Sequence, residues 1–138
     1  MLEGKPAPMF AQDTLTGQRV DLGKLKGTPV ILNFWSTWCQ PCRIEHPWLQ
    51  ENARAFPDVQ FYGVLYGDTE ANALRYLKAH DSAYPTIVDP EGRLAIEYGV
   101  AGVPETFFID RQGQIRHKVS GPVSPDVLQR YIAELRAP

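Results

Sequence analysis

The only two cysteines of the chain, Cys39 and Cys42, lie three positions apart, with Gln40 and Pro41 between them. This spacing puts them one helical turn apart, within the Cα separation that a disulfide requires. Such a pair could be a structural cross-link, half of a metal site or a reversible redox couple. Each use makes different demands on the rest of the sequence.

The first two uses fit the sequence poorly. A disulfide between Cys39 and Cys42 closes a very short loop, worth about 2 kcal/mol in the chain-entropy treatment against about 4.7 for a 100-residue loop. Tetrahedral zinc needs two further ligands, and only His46 is near the pair in sequence. Haem attachment needs a histidine directly after the second cysteine, where Arg43 stands. A C-x-x-C pair after a buried strand favours redox chemistry.

The elements on either side of the pair indicate how it becomes reactive. The apolar run Pro29–Trp35 predicts a strand buried on both faces, and a helix should follow from about Cys39 to Phe56. At a helix N-terminus, a shift of the thiol pKa from about 8.5 to about 7 raises the thiolate fraction at pH 7 from about 3% to about 50%. Cys39 is therefore the expected nucleophile, and the more shielded Cys42 is suited to resolve the mixed disulfide.

Glu45 allows two interpretations. On a helical wheel it lies about 60° from Cys42, on the side that carries the apolar residues of the helix. It could be a solvated acid of the first turn, favourable to the helix dipole. It could also be a partly buried carboxylate with a raised pKa that exchanges a proton with the Cys42 thiol. The wheel does not decide between them, and it gives neighbouring His46 no role.

The rest of the chain predicts one α/β domain over residues 1–138, with a mixed sheet and helices on both of its faces. The further elements expected are a hairpin over Phe10–Leu22, a strand over Val59–Tyr66, a helix from Thr69 to about His80, a short strand over Thr86–Asp89, a short helix over Gly92–Tyr98, strands over Thr106–Asp110 and Gln114–Val119, and a last helix after Ser124.

Composition excludes some classes of function. The formal net charge of −2 gives no broad basic field, which argues against a nucleic-acid partner. No apolar run of about 18 residues and no signal-peptide pattern occurs. These features fit either a cytosolic protein or a domain trimmed of a targeting segment.

Three segments resemble a known family. The motif WCQPC after VILNFW resembles the active site of the thioredoxin-like superfamily. The segments GKPAPMF and LKGTPVILNFWSTWC resemble its membrane-tethered extracytoplasmic branch in bacteria, the TlpA/ResA/CcmG group. The segment GVAGVPETFFID, residues 99–110, resembles the CcmG (DsbE) thiol:disulfide interchange proteins of cytochrome c maturation. The resemblance runs from Gly4 to Leu135.

The resemblance implies a thioredoxin fold with an N-terminal β-hairpin and a central insertion. It again implies Cys39 as nucleophile and Cys42 as resolving thiol. It also implies a cis Pro104 that faces the cysteines and presents the Val103 backbone to an extended client chain. The active site would be shaped further by Trp38, Gln40 and Pro41.

Two acidic residues match positions of the same group. Glu45 matches an acid that tunes the active site, which favours the buried interpretation. Glu105 matches the acid after the cis proline. It is expected to be either an ordinary charge at a strand edge or an acidic lip that shapes reactivity and partner choice.

The resemblance further implies a reductant of protein disulfides, whose client is apocytochrome c or its maturation partner. A membrane thiol reductase would restore the reduced form. No metal or organic cofactor is expected besides the Cys39–Cys42 disulfide. The protein would be a monomer, in the periplasm or on the outer face of the bacterial cytoplasmic membrane, tethered by an N-terminal segment absent from this chain.

Three alternatives are weighed against this function. A general reductase of the TlpA/ResA type would serve other clients, such as copper-centre assembly proteins. A peroxiredoxin would require a peroxidatic cysteine in a loop flanked by proline and threonine, whereas Trp38 precedes Cys39 here. A copper-binding module would need a histidine beside both thiolates, and no histidine has a sequence context that singles it out.

Overall fold

A five-stranded mixed sheet organises the protein, whose computed structural model describes residues 2–138. The strands are β1 (Ala11–Asp13), β2 (Arg19–Asp21), β3 (Val30–Trp35), β4 (Gln60–Leu65), β5 (Thr86–Ile87), β6 (Glu105–Ile109) and β7 (Ile115–Ser120), and the helices are α1 (Gln40–Ala55), α2 (Glu70–His80), α3 (Arg93–Glu97) and α4 (Pro125–Arg136). The sheet order is β5-β4-β3-β6-β7, and β1 and β2 form a separate antiparallel hairpin.

Strand β3 is the central strand, and every one of its residues is buried. It runs parallel to β4, with Trp35 opposite Leu65, and antiparallel to β6, with Phe34 opposite Glu105. An uninterrupted apolar run is what a strand covered on both faces requires. The two cysteines follow shortly after its carboxyl end.

The two faces of the sheet are covered by different elements, because successive side chains of a strand point to opposite sides. Val30, Leu32 and Phe34 pack with the N-terminal hairpin and α3, in a cluster that includes Phe10 and Tyr98. On the other face, apolar residues of β3, β4 and β6 pack against α1 and α4: Ile31, Phe61, Phe108, Leu49, Leu128, Ile132 and Leu135. The predicted mixed sheet with helices on both faces is confirmed.

Predicted and observed elements agree in type and order, and most ends differ by at most one residue. The exception is β5, which stops at Ile87 rather than Asp89. Val88 donates its backbone N–H to Asp13 of the N-terminal hairpin, at 2.8 Å, instead of continuing along β4. The Asp89 carboxylate then accepts the N–H groups of Leu94 and Ala95 at the start of α3.

The segment between β4 and β6 contains α2, β5 and α3, and it corresponds to the expected central insertion. Helix α2 packs Ala73 and Tyr76 against Trp35, Leu65 and the cysteines. Within residues 2–138, no helix has the length and apolar character needed to cross a membrane.

Candidate active site

The cysteine pair lies between the end of β3 and the first turn of α1. Cys39 is the N-cap of α1, with extended backbone angles, and its sulfur accepts the backbone N–H of Cys42 at 3.2 Å. Pro41 occupies the first turn, where its missing N–H leaves no bond unmade. In the dithiol form, the same N–H and the helix dipole would stabilise a Cys39 thiolate.

Cys39 and Cys42 form a disulfide, with their Cα atoms 5.3 Å apart. Both residues are buried in this state. Around them the surface is open: Gln40 and Pro41 are exposed, and Trp38 is 61% exposed. The Trp38 indole N–H donates to the Gly67 carbonyl at 3.0 Å, so the ring is held beside the pair.

Glu45 lies one turn after Cys42 in α1 and is fully buried. Its Oε2 accepts a hydrogen bond from the Asn33 side-chain amide at 2.8 Å, and its Oε1 accepts the Val123 backbone N–H at 3.0 Å. Burial raises the pKa of Glu45 to about 7, and these two hydrogen bonds only partly oppose that effect. The interpretation as a solvated first-turn acid is therefore wrong. The carboxyl is buried and titrates near neutral pH.

Asn33 was not predicted as a site residue, although it connects three elements around Glu45. Its Nδ2 also approaches Thr106 Oγ1 on β6, at 3.0 Å, so both amide hydrogens have acceptors. The signal in the sequence was a lone amide inside the apolar run VILNFW. A buried polar group in a central strand requires partners, and here one partner is the carboxyl of the active-site helix.

The Val103–Pro104 peptide bond is cis, as the resemblance implies. Pro104 is buried, and half-buried Val103 packs against the cluster that contains Trp35, Cys39 and Cys42. Val103 therefore lies beside the cysteine pair.

The two interpretations of Glu105 are corrected by the structure. Glu105 begins β6, which has β3 on one side and β7 on the other, so it is neither at a sheet edge nor on an exposed lip. The Lys118 ammonium of β7 lies 3.2 Å from Glu105 Oε1, as a charge pair rather than an aligned hydrogen bond. Most of the acid's surface is covered by the sheet, and its charge is matched by Lys118.

A small cavity of about 10 Å³ lies beneath Cys42, close to the volume that one water molecule needs. It is lined by Asn33, Trp35, Cys42, His46, Leu49, Gln50, Leu77, Tyr84 and Thr86. Its polar lining places amide, hydroxyl and imidazole groups behind the buried cysteine.

His46 is buried on the cavity wall, although no role was predicted for it. Its Nε2 lies 2.9 Å from the Asp81 carbonyl, an acceptor that fixes the proton on that nitrogen. Burial lowers the pKa of His46. Gln50 and Arg54, at intervals of four along α1, also bind residues 81–83, so this face of the helix holds the end of α2. Within residues 2–138, no group of three or more His, Cys, Asp or Glu side chains is placed to hold a metal ion.

Comparison with known proteins identifies relatives of this chain. The AhpC/TSA family model matches residues 4–118. The thiol:disulfide interchange protein DsbE of Pseudomonas aeruginosa is 40% identical over 137 residues, which are 97% of this chain and 75% of the relative. The thiol-disulfide oxidoreductase ResA of Bacillus subtilis is 30% identical over 132 residues, 94% of this chain and 74% of the relative.

Solved structures show the same fold. A thioredoxin-family thiol:disulfide interchange protein from Chlorobium tepidum superimposes with a TM-score of 0.86 at 28% identity, covering 94% of each chain. A secreted Mycobacterium tuberculosis disulfide oxidoreductase homologous to E. coli DsbE gives a TM-score of 0.84 at 28% identity, covering 91% of this chain and 96% of that one. With its paired cysteines at the strand–helix junction, the chain thus belongs to the AhpC/TSA family as a thioredoxin-fold thiol:disulfide oxidoreductase of the DsbE type.

Proposed function

We propose that the protein is a reductant of protein disulfides that serves cytochrome c biogenesis, with apocytochrome c or its maturation partner as client. The observation that carries the reductant mechanism is the Cys39–Cys42 pair at the start of α1, with the buried Glu45 carboxyl one turn further on. The assignment of a client rests on GVAGVPETFFID, which resembles the cytochrome c maturation proteins, and is supported by the DsbE relatives.

The reaction proceeds by two thiol–disulfide exchanges. The Cys39 thiolate attacks one sulfur of the client disulfide, a mixed disulfide forms, and the other client sulfur leaves as a thiolate. Cys42 then loses its proton and attacks the Cys39 sulfur, which releases the second client thiolate. The client gains two electrons, and the protein is left with its Cys39–Cys42 disulfide.

Glu45 is the acceptor that we assign to the Cys42 proton. A carboxyl with a pKa of about 7 is ionised in about half of the molecules at pH 7, so it can take a proton and return it. Residues at positions i and i+3 of a helix are neighbours, which places Glu45 beside Cys42. Its fixed hydrogen bonds from Asn33 and Val123 hold the carboxyl in place through the exchange.

The surrounding residues would hold the client. Val103 and Pro104 would offer backbone groups for strand-like pairing, and exposed Trp38, Gln40 and Pro41 would contact the client on the other side of the disulfide. Buried Glu105, paired with Lys118, would support this segment rather than touch the client. The cycle as proposed uses no metal or organic cofactor.

The supply of electrons and the location follow from the same proposal. A membrane thiol reductase would return the disulfide to the dithiol. The protein would act as a monomer in the periplasm or at the outer face of the bacterial cytoplasmic membrane, tethered there by a segment outside this chain.

Trapping of the mixed disulfide tests the assigned roles. Cys42→Ser should accumulate a mixed disulfide between Cys39 and the client, seen as a band on non-reducing gels that disappears on reduction. The opposite result, with trapping only in Cys39→Ser, would exchange the two roles. An equilibrium potential against glutathione as oxidising as about −120 mV would argue for an oxidant instead.

A general thiol reductase with other clients is the second candidate, and ResA relatives at 30–31% identity favour it. The two functions are separated in cells that lack the gene. A defect in cytochrome c assembly that added copper does not relieve supports the proposal. A copper-relieved defect in a copper enzyme, with normal c-type cytochromes, supports the alternative.

A further inference from the structure

Thr37, two residues before Cys39, has each of its polar groups bound by a charged side chain. Its backbone N–H and its hydroxyl both donate to Asp68 Oδ2, at 2.7 and 2.5 Å. Its carbonyl accepts from Arg43 Nε and Nη2, at 2.9 and 2.6 Å. A carboxylate and a guanidinium thus both bind the residue that lies two positions before the nucleophile.

Asp68 is itself fixed in its loop after β4. Its Oδ1 accepts the Thr69 N–H at 2.7 Å and the Asn72 side-chain amide at 3.0 Å, where α2 begins. Burial tends to raise the pKa of Asp68, but the hydrogen bonds from Thr37, Asn72 and Thr69 outweigh it and lower that pKa. The carboxylate is therefore charged at neutral pH, and its second oxygen is bound at the start of α2.

Arg43 is the residue directly after Cys42, and its guanidinium lies over the Tyr76 ring of α2, 5.4 Å from the centroid. Its two-pronged contact with the Thr37 carbonyl requires the planar fork of arginine. The exposed Trp38 ring is bound to the same Asp68 loop through Gly67. The segment before Cys39 is thus joined to α1 by Arg43 and to the start of α2 by Asp68.

We propose that Asp68 and Arg43 are positioning residues for Cys39. They fix Thr37 so that the Cys39 sulfur stays in the N-cap position of α1. Their opposite charges also have opposite effects on how readily the Cys39 thiol ionises. Loss of the carboxylate is therefore expected to favour the Cys39 thiolate, and loss of the guanidinium to disfavour it. This assignment does not depend on which protein is the client.

Charge variants in a Cys42→Ser background test the electrostatic part, because only Cys39 can then react. Asp68→Asn keeps an oxygen for Thr37 but removes the charge. Arg43→Met removes the charge but keeps an alkyl stem, and Arg43→Lys restores the charge without the fork. The rate of alkylation by iodoacetamide, followed from pH 4 to 9, gives the midpoint of Cys39 ionisation.

The expected shifts have opposite signs. Asp68→Asn should lower the midpoint by about 0.5 pH unit and Arg43→Met should raise it by about as much, while Arg43→Lys stays near wild type. The other titratable side chains near the pair, Glu45, His46 and Tyr76, are unchanged in all three variants. A structural defect alone would move both charge variants in the same direction, and that result would overturn the proposal.

The positioning part is tested with a small aromatic disulfide, 5,5′-dithiobis(2-nitrobenzoic acid), at a pH above the midpoint. Asp68→Ala should react about tenfold more slowly, and Asp68→Asn within about threefold of wild type. Asp58→Asn, which breaks an exposed ion pair with Arg136, is the matched control and should match wild type. If Asp68→Ala does not fold, Thr37→Val, which loses the hydroxyl contact alone, takes its place. Midpoints and rates equal to wild type in every variant would overturn the proposal.

Discussion

The Glu45 carboxyl of the active-site helix accepts the backbone N–H of Val123, a residue 78 positions later in the chain. The same carboxyl is bound by Asn33 of the central strand. The acid therefore lies where α1, β3 and the segment before α4 meet, and its ionisation affects the fold as well as the redox pair.

The pH dependence of stability should reveal this buried acid. The folded pKa of Glu45, about 7, lies above its ordinary value of 4.5, so its contribution to stability is fully favourable below pH 4.5 and is lost as pH rises through 7. The difference corresponds to about 3 kcal/mol at most. We expect the oxidised Glu45→Gln variant to lose the fall in stability toward higher pH, measured as the free energy of unfolding in urea from pH 4.5 to 8.

Glu51→Gln is the control for that measurement, because Glu51 is an exposed acid on the same helix. It should keep the wild-type pH dependence. Equal slopes for wild type and Glu45→Gln would contradict the buried, neutral-pH titration of Glu45.

Asn33 should affect both the stability of the fold and the proton affinity of Glu45. Asn33→Ala removes the donor to Glu45 Oε2 and leaves a buried carboxyl with one partner, a change that should cost about 1–3 kcal/mol. Because the Asn33 hydrogen bond lowers the pKa of Glu45, its loss should raise that pKa further. Carbon-detected NMR titration of the Glu45 carboxyl measures the shift. A double-mutant cycle with Glu45→Gln should show coupling, and additive effects would argue against direct contact.

The sequence predicted what depends on neighbours along the chain. The apolar run before the cysteines and the N-cap position of the nucleophile are local features, so β3, α1 and the place of the disulfide were all expected. The starts of α2 and α4 were expected for the same reason, and Thr69 and Ser124 are their N-caps.

What the sequence could not supply are contacts between distant segments. The burial of Glu45 depends on Val123, and the pairing of Glu105 depends on the register of β6 against β7, which puts Lys118 beside it. An acid after a proline reads as a surface charge until the strand on its other side is known. The hydrogen bonds between Thr37 and Asp68 likewise join residues that are 31 positions apart.

His46 should make the fold sensitive to acid. Its folded pKa is lowered by burial, so its contribution to stability is complete above its unfolded pKa of about 6.5 and is lost as pH falls below that value. Asp81, Tyr76 and His80 face the ring from α2 and its end. We expect His46→Gln to unfold at nearly the same urea concentration at pH 7 and pH 5.5 when it is made in the Glu45→Gln background, which removes the opposing titration.

The parent of that double variant, Glu45→Gln, is the reference and should lose stability over the same interval. A parent with no loss between pH 7 and pH 5.5 would show that His46 is not held neutral by burial.

The Glu105–Lys118 pair should behave as a covered charge pair. Lys118→Met leaves the carboxylate without its cation and should cost about 1–2 kcal/mol, since the lysine side chain is partly exposed. Adding Glu105→Gln should restore most of the loss, because the unpaired charge is then gone. Thermal unfolding of the single and double variants measures this coupling. A double variant as unstable as the sum of its parents would place the loss in packing, not in charge.

Glu45 should also set the speed of the second exchange. Cys42 must lose its proton before it attacks Cys39, and at pH 7 about half of the Glu45 carboxyls can accept it. With a mixed disulfide preformed between Cys39 and a coloured thiol such as thionitrobenzoate, release of that thiol reports the attack by Cys42 alone. Wild type should release it faster as pH rises through 7, and Glu45→Gln should be about tenfold or more slower at pH 7, without that inflection.

The first exchange serves as the internal control for this experiment, because Cys39 gains its thiolate from the helix N-terminus and not from Glu45. The pH midpoint of Cys39 alkylation should therefore stay near the wild-type value in Glu45→Gln, or fall slightly because a nearby negative charge is lost. A variant whose release of thionitrobenzoate follows the wild-type rate and pH profile would show that water, and not Glu45, takes the proton from Cys42. The buried carboxyl would then act on stability alone.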